Sequence, residues 1–418
     1  MYKGLIIQPF IHSMIPRPIF LEKTFKNKNF HYFFDETNNI RSLNISEAKQ
    51  KLNDNEFPFV LGGVYINKSY DEKKLKKKLL KRFQDKNLNI DGSELKFSEF
   101  QNKGNGQSID KFKKLLSSKK LNQFFRWLKK ENINIHYNTV DIGYFYFIDF
   151  IDDKTLVSLV DNIFPSNILN RDYQSLVYFS EIKSELYNFF IENKEEIIKD
   201  LHSLKFPKID DTNIQNVKSI FLERIKRSPK LNHKNDICYI IGKNDLFFLR
   251  EDEENLLVKD FSVFYLTIIQ KFKSSQITLD NEFKIDEVIK KYINDDRYRS
   301  NAIDIYQAKV NFTDSKESFL VQCSDIIIGF IREIYKISYI QISSLSNEKN
   351  SFSFKESDIK LEFNNFIAKL DLSDIQKDTL ETFVYLHNRS LKDFNGNQET
   401  LVPVNTRLFF DNFLKFKF

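Results

Sequence analysis

Apolar runs with strand character recur along the chain and alternate with segments of helical periodicity. Strands are predicted at 31–37, 57–66, 132–142, 276–282 and 308–312, and a short strand or a strand exit at 93–97. The run at 57–66 is apolar at nearly every position, as in a strand that is buried on both faces. Apolar residues three and four positions apart predict helices near 71–86, 109–130, 317–335 and 374–389. These elements together predict an α/β fold.

Acidic residues stand at the ends or edges of several of these apolar elements. Asp35 and Glu36 close the first strand, Asp280 lies at the end of a later strand, and Asp325 stands on an apolar helix. Glu94 is a fourth candidate. Buried carboxylates are costly unless they are paired or bind a metal. Converging carboxylates favour hard divalent ions such as Mg²⁺.

Each of these acids also has a plainer explanation. Asp35 can be an ordinary acid at a strand end, Glu94 can begin a local turn after Gly92, and Asp325 can form a buried ion pair with Arg332. Side chains alternate along a strand, so only one of the acids at 35 and 36 can face a given pocket. A metal site is therefore indicated by these acids taken together and not by any one of them.

The charge and the cysteine content bear on which partners and which kinds of site the protein can have. The net charge is +6, and residues 1–150 contain 27 Lys or Arg against 16 Asp or Glu. This basic third suits a polyanion such as nucleic acid, although a solvated lysine-rich surface explains it equally well. Cys238 and Cys323 are too few for a zinc site or a disulfide framework.

The distribution of apolar residues also predicts a location. No apolar stretch reaches the roughly 20 residues that a membrane span needs. The apolar run near the N-terminus is interrupted from Pro9 onward, and no clear cleavage site follows it. We therefore expect a soluble protein with no membrane partner, and the two distant cysteines fit a reducing cytoplasm.

Five ordered motifs carry a resemblance to a known family. They are FFDET at 33–37, LGGVYI at 61–66, SELKF at 93–97, LDNE at 279–282, and Ser315, Lys316, Gln322 and Asp325 on the late helix. This order resembles the family known as domain of unknown function 3800, which is placed in the ribonuclease H-like superfamily. The resemblance covers about residues 28–100 and 270–340. Three departures are Thr37-Asn38 after the first acids, Asn281 between two acids, and a segment at 144–275 that is larger than expected for the family.

The resemblance implies a fold and a domain organisation. The expected fold is α/β, with a ribonuclease H-like mixed sheet flanked by helices. Residues 28–143 and 276–345 would form the two parts of this core. The long helical patterns of residues 144–275 predict a mostly helical insertion. Residues 346–418 would form a C-terminal extension, and the polar stretch at 345–358 is linker-like.

The resemblance also implies a set of site residues. Asp35, Glu94, Asp280 and Asp325 would bind two Mg²⁺ or Mn²⁺ ions and act in catalysis. Lys96 would contact the scissile phosphate or orient a carboxylate. Supporting positions outside the ligand set would be Glu36, Glu282, Lys316 and Gln322. Glu282 is also the alternative to Asp280 as the ligand, and Gln322 lies one helical turn before Asp325, where it could reach the acids.

The function implied is that of a metal-dependent nuclease acting on RNA or DNA, in antiphage or mobile-element defence. One alternative is a catalytically inactive relative that binds nucleic acid or a partner as a sensor. Another is a hydrolase of a different phosphorylated compound. A protein partner or a homo-oligomer is compatible with each of these.

Overall fold

The computed structural model describes fourteen parts of the chain. They are residues 30–37, 43–44, 58–67, 70–88, 94–101, 108–141, 256–258, 262–272, 274–281, 285–287, 309–349, 354–393, 400–402 and 404–417. Most of the predicted insertion at 144–275 lies outside these residues. Glu282 lies outside them as well.

The described residues form a mixed α/β structure. The strands are β1 (Phe30–Glu36), β2 (Leu43–Asn44), β3 (Phe59–Asn67), β4 (Asn134–Val140), β5 (Leu256–Val258), β6 (Gln276–Asp280), β7 (Lys309–Thr313) and β8 (Thr400–Leu401). The helices are α1 (Glu72–Gln84), α2 (Ser108–Leu116), α3 (Lys119–Lys130), α4 (Ser262–Lys271), α5 (Phe319–Lys349), α6 (Glu356–Leu370), α7 (Asp374–Asp393) and α8 (Val404–Lys415). The predicted α/β class is confirmed.

Six of the strands form one sheet in the order β7-β6-β1-β3-β4-β8. The pairs β1–β3 and β3–β4 are antiparallel. The pairs β1–β6, β6–β7 and β4–β8 are parallel. The strand that carries Asp35 is therefore central, and the strand that carries Asp280 is its parallel neighbour.

The aromatic sequence of β1 fills both faces of the sheet. Tyr32 and Phe34 lie on one face, where Tyr32 stacks on Phe272 with 4.1 Å between ring centroids. Phe33 points to the opposite face and belongs to the large core beneath α5. Alternation along the strand puts Asp35 on the same face as Phe33. The acid therefore faces the side covered by α5.

Helix α5 lies close against the sheet because β3 has a glycine at the contact. The Ser324 hydroxyl donates to the Phe33 carbonyl (2.7 Å) and accepts from the Val64 N–H (3.2 Å). A Cβ on Gly63 would lie 2.1 Å from Ser324 Oγ, so no larger residue fits there. This contact fixes the helix one residue before Asp325.

Several element boundaries differ from the prediction. The helix expected near 109–130 is two helices, and α3 begins after Ser118, whose side chain accepts from the Leu121 N–H as an N-cap. Helix α5 continues to Lys349, so the start of the predicted linker is helical. Residues 94–97, part of the predicted short strand or strand exit, contain no strand. A bend at Glu94 and a 3₁₀ helix at Phe97–Glu99 take its place.

The C-terminal residues contribute to the same sheet and core. Strand β8 pairs with the edge of β4, and α7 packs on β4 and α3. Phe409, Phe410 and Phe413 of α8 are buried in the core. No helix in the described part of the chain combines the length and the apolar character that crossing a membrane requires.

Candidate metal centre

Asp35 and Asp280 lie at the ends of adjacent parallel strands. The register pairs Phe34 with Leu279, so these two acids are the next residues at the same level. A hydrogen bond of 2.8 Å between His31 Nε2 and Thr278 Oγ1 shows that these two side chains lie on the same face of the sheet. Alternation along each strand puts Asp35 and Asp280 on that face as well. Neighbouring strands lie about 4.8 Å apart. Both carboxylates therefore start from one edge and one face of the sheet.

Asp325 comes to the same edge from helix α5. Its Oδ2 accepts from the backbone N–H of Phe97 at 2.7 Å. One turn later Gly329 faces the Phe97 ring, and a Cβ at this glycine would lie 2.4 Å from ring atoms. The glycine thus allows the segment that carries Glu94 to lie directly against the helix.

Glu94 is held by two side chains. Its Oε1 accepts from the Ser315 hydroxyl at 2.6 Å, and its Oε2 lies 3.2 Å from Lys96 Nζ. The Glu94 side chain is 13% exposed. The ion pair with Lys96 forms across a bend rather than along the predicted strand. Ser315 lies four residues before the first residue of α5.

The acids of the site raise one another's pKa values. Burial raises the pKa of Asp35 well above its usual value, and the charges of Glu36, Asp325 and Asp280 raise it further. Burial also raises the pKa of Asp280, with Glu94 contributing to the rise. The acids thus influence one another across four separate segments of the chain.

Asp325 experiences opposing influences. Burial raises its pKa most strongly, and the charges of Glu94 and Asp280 act in the same direction. The N–H of Phe97 and the charge of Lys96 lower the pKa. Burial and, to a smaller extent, two neighbouring acids therefore destabilise the carboxylate anion of Asp325, and one hydrogen bond and one cation partly offset this.

Gln322 supports the site through the backbone. Its side chain is 1% exposed. Its Oε1 accepts from the Leu95 N–H at 3.1 Å, and its Nε2 donates to the Ser315 carbonyl at 2.7 Å. The observed amide contacts therefore go to the neighbours of Glu94, where the sequence suggested a direct contact with an acid.

Two other predicted supporting residues, Glu36 and Lys316, do not point toward Asp35 from the same face or from a buried position. Alternation puts the Glu36 side chain on the opposite face from Asp35, and the Glu36 N–H donates to Asp35 Oδ1 at 2.8 Å. The Lys316 side chain is exposed, and its backbone N–H donates to Asp314 Oδ1 at 2.9 Å.

Asp314 was not among the predicted site residues, although its charge acts on Asp280. The charge of Asp314 contributes to the raised pKa of Asp280. Asp314 directly follows β7, the strand parallel to β6. The rule that selected Asp35 and Asp280, an acid at the carboxyl end of a strand, would also have found this residue.

The chemistry of these donors fits a hard divalent ion. All four proposed ligands are carboxylates, and carboxylate oxygens are the ligands that Mg²⁺ and Mn²⁺ prefer. Within the ranges that the structure describes, no group of three or more Asp, Glu, His or Cys side chains is arranged so that it could hold a metal ion. The donor types therefore fit, and the coordination geometry is not preassembled.

No protein-family model, curated protein or solved structure matches this chain. Its function is therefore inferred from the arrangement of its own side chains.

Proposed function

We propose that this protein is a metal-dependent nuclease that hydrolyses phosphodiester bonds of RNA or DNA at the carboxylate cluster. The observation that carries the proposal is that Asp35 and Asp280 end adjacent parallel strands on one face of the sheet. Glu94 and Asp325 come from two further segments, and the charge of each acts on the pKa of another acid of the set. Carboxylates in partly buried positions repel one another and disfavour folding. A cation between them would convert this repulsion into binding energy.

The four acids would hold Mg²⁺ or Mn²⁺. A pair of such ions supplies an activated water and stabilises the charge on the leaving oxygen. The chain itself orients the ligands. The Glu36 N–H holds Asp35, the Phe97 N–H holds Asp325, and the Ser315 hydroxyl holds Glu94.

The sheet supports the fold part of this proposal. Strand β1 is central in a mixed sheet, and the two acid-ended strands β1 and β6 lie side by side. We propose on this basis that the fold is ribonuclease H-like. Membership of the domain of unknown function 3800 family is proposed from the sequence motifs alone. A role in antiphage or mobile-element defence is the part of the proposal that rests on that resemblance alone.

A cleavage assay tests the proposal. The full chain is incubated with Mg²⁺ or Mn²⁺ and end-labelled single- and double-stranded RNA and DNA. We expect cleavage that chelation of the metal abolishes. Asp35→Asn and Asp325→Asn should reduce the rate by at least about a hundredfold, because each removes a charged ligand. Glu381→Gln, at an exposed position of α7, is the matched control and should cleave like wild type.

The outcomes separate the candidate functions. Absence of cleavage by the wild type, or equal cleavage by the Asp35→Asn and Asp325→Asn variants, contradicts a nuclease that uses this cluster. Binding of the labelled nucleic acids without cleavage would instead favour the catalytically inactive binding protein.

A further inference from the structure

Lys96 places a positive charge at the edge of the acidic cluster. Its Nζ lies 3.2 Å from Glu94 Oε2. Its charge also lowers the pKa of Asp325, which places the ammonium within electrostatic reach of a second acid. Lys96 therefore interacts with two of the four proposed ligands, which come from different elements.

The backbone around Lys96 is anchored, whereas its side chain is exposed. The Leu95 N–H donates to Gln322 and the Phe97 N–H donates to Asp325, so hydrogen bonds fix the residue on each side. The Lys96 side chain is 58% exposed. An exposed ion pair contributes little net stability. The ammonium can therefore leave the cluster at small cost while the backbone that positions Glu94 and Asp325 stays in place.

A divalent ion and the Lys96 ammonium compete for the same carboxylates. Both are cations, and their mutual repulsion grows as they approach the same oxygen atoms. A doubly charged ion with several carboxylate ligands gains more from the cluster than a singly charged ammonium with one ion pair. Metal binding should therefore weaken the contact between Lys96 and Glu94.

We propose that Lys96 is an internal counter-ion of the cluster, which a bound divalent ion displaces. This inference rests on the proposed function in one respect, since it requires the four acids to bind a divalent ion. The displaced ammonium would stay tethered beside the cluster, because hydrogen bonds fix the backbone on each side of Lys96.

A manganese titration of three proteins tests the displacement. Mn²⁺ is titrated by calorimetry into wild type, Lys96→Met and Lys78→Met. Lys78 is a matched control because its Nζ lies 2.5 Å from Glu131 Oε2, with lysine and glutamate side chains 47% and 12% exposed. Loss of a competing exposed ion pair should tighten Mn²⁺ binding by Lys96→Met about three- to fivefold. Lys78→Met should bind Mn²⁺ like wild type.

A second measurement uses the wild-type protein alone, so it does not depend on a variant that folds. Acetylation of lysine side chains by an amine-reactive reagent is followed by mass spectrometry with and without Mn²⁺. The acetylation rate of Lys96 should rise when Mn²⁺ is present, while that of Lys78 stays unchanged.

The outcomes distinguish failure of this inference from failure of the proposed function. If wild type binds no Mn²⁺, both are overturned. If wild type and Lys96→Met bind Mn²⁺ equally, the metal site stands and the counter-ion role of Lys96 is wrong. Weaker binding by Lys96→Met also overturns the displacement, because Lys96 would then be positioning Glu94 for the metal.

Discussion

At the scale of single residues, Asp35 is an acid in a position that works against folding at neutral pH. Its side chain is 8% exposed, and burial together with three acidic neighbours raises its pKa. The folded chain therefore binds this proton more tightly than the unfolded chain does. The stabilising contribution is present at low pH and is lost as the pH rises from about 4, the usual carboxyl value, through the raised pKa.

The variant Asp35→Asn should therefore stabilise the metal-free protein at neutral pH. The amide keeps the shape of the side chain and removes the buried charge. Melting temperatures measured between about pH 4 and pH 8, a range that begins at the usual carboxyl pKa, should lie close together for this variant and wild type at the acid end. The variant should melt progressively higher than wild type as the pH rises.

The control for this comparison is Glu381→Gln, which removes an acid from an exposed site. Its melting temperature should follow that of wild type across the same pH range. A lower melting temperature for Asp35→Asn at every pH would show that favourable contacts, rather than repulsion, dominate at this carboxylate.

Asp35, Asp280 and Asp325 could be selected from the sequence because each lies at the end of an apolar strand or within an apolar helix. It was not sufficient for the contact between Ser315 and Glu94, whose residues are 221 positions apart. Tertiary packing decides such a contact, and neither residue carries a local signal for it. The same reason explains why the Gln322 amide was expected at an acid and not at the backbone of Leu95 and Ser315.

At the scale of elements, the contact between α5 and β3 determines where Asp325 lies. The contact depends on Gly63, which has a φ of +155° and faces Ser324. A side chain at this position would meet both the Ser324 hydroxyl and the Phe33 carbonyl. The helix would have to move away from the strand to relieve the overlap.

Substitution Gly63→Ala should lower the free energy of unfolding by about 1–3 kcal/mol, the usual cost of overpacking a well-packed contact. Urea unfolding measures this change. Ser343→Ala, at an exposed position of the same helix, should have no measurable effect. Unchanged stability of Gly63→Ala would show that α5 does not lie as close to the sheet as described.

Element boundaries were predictable where the pattern is long and regular. Helix α1 and strand β3 follow their predicted spans within a few residues. Strand β8 has two residues, too few for any alternation to be visible, and only its pairing with β4 makes it a strand. The break at Ser117–Ser118 was missed because the apolar spacing of α2 and α3 is similar on both sides.

At the scale of the whole molecule, the C-terminal residues share one core with the N-terminal strands. Phe410 of α8 stacks on Tyr335 of α5, with 4.1 Å between ring centroids and 7° between ring planes. Phe410 also contacts Tyr137 of β4 edge-on. We therefore expect α8 to unfold together with the sheet.

Replacement Phe410→Ala should reduce the free energy of unfolding by about 3–5 kcal/mol. The reporter is fluorescence of Trp127, the only tryptophan in the chain, which is buried in α3 far along the sequence from the substitution. Its unfolding transition in urea should move to lower urea. Leu361→Ala, an exposed site in the same C-terminal segment, is the control. An unmoved Trp127 transition would mean that the C-terminal helices unfold independently.

The central claim is that Asp35, Glu94, Asp280 and Asp325 together bind divalent metal ions. Anomalous diffraction from crystals of the protein grown with Mn²⁺ tests it most directly. We predict an anomalous peak between these four side chains, with carboxylate oxygens at about 2 Å from it, as octahedral ions of this size require. An anomalous map with no peak at the cluster would contradict the claim, provided that the Mn²⁺ concentration is high enough to saturate a typical protein metal site.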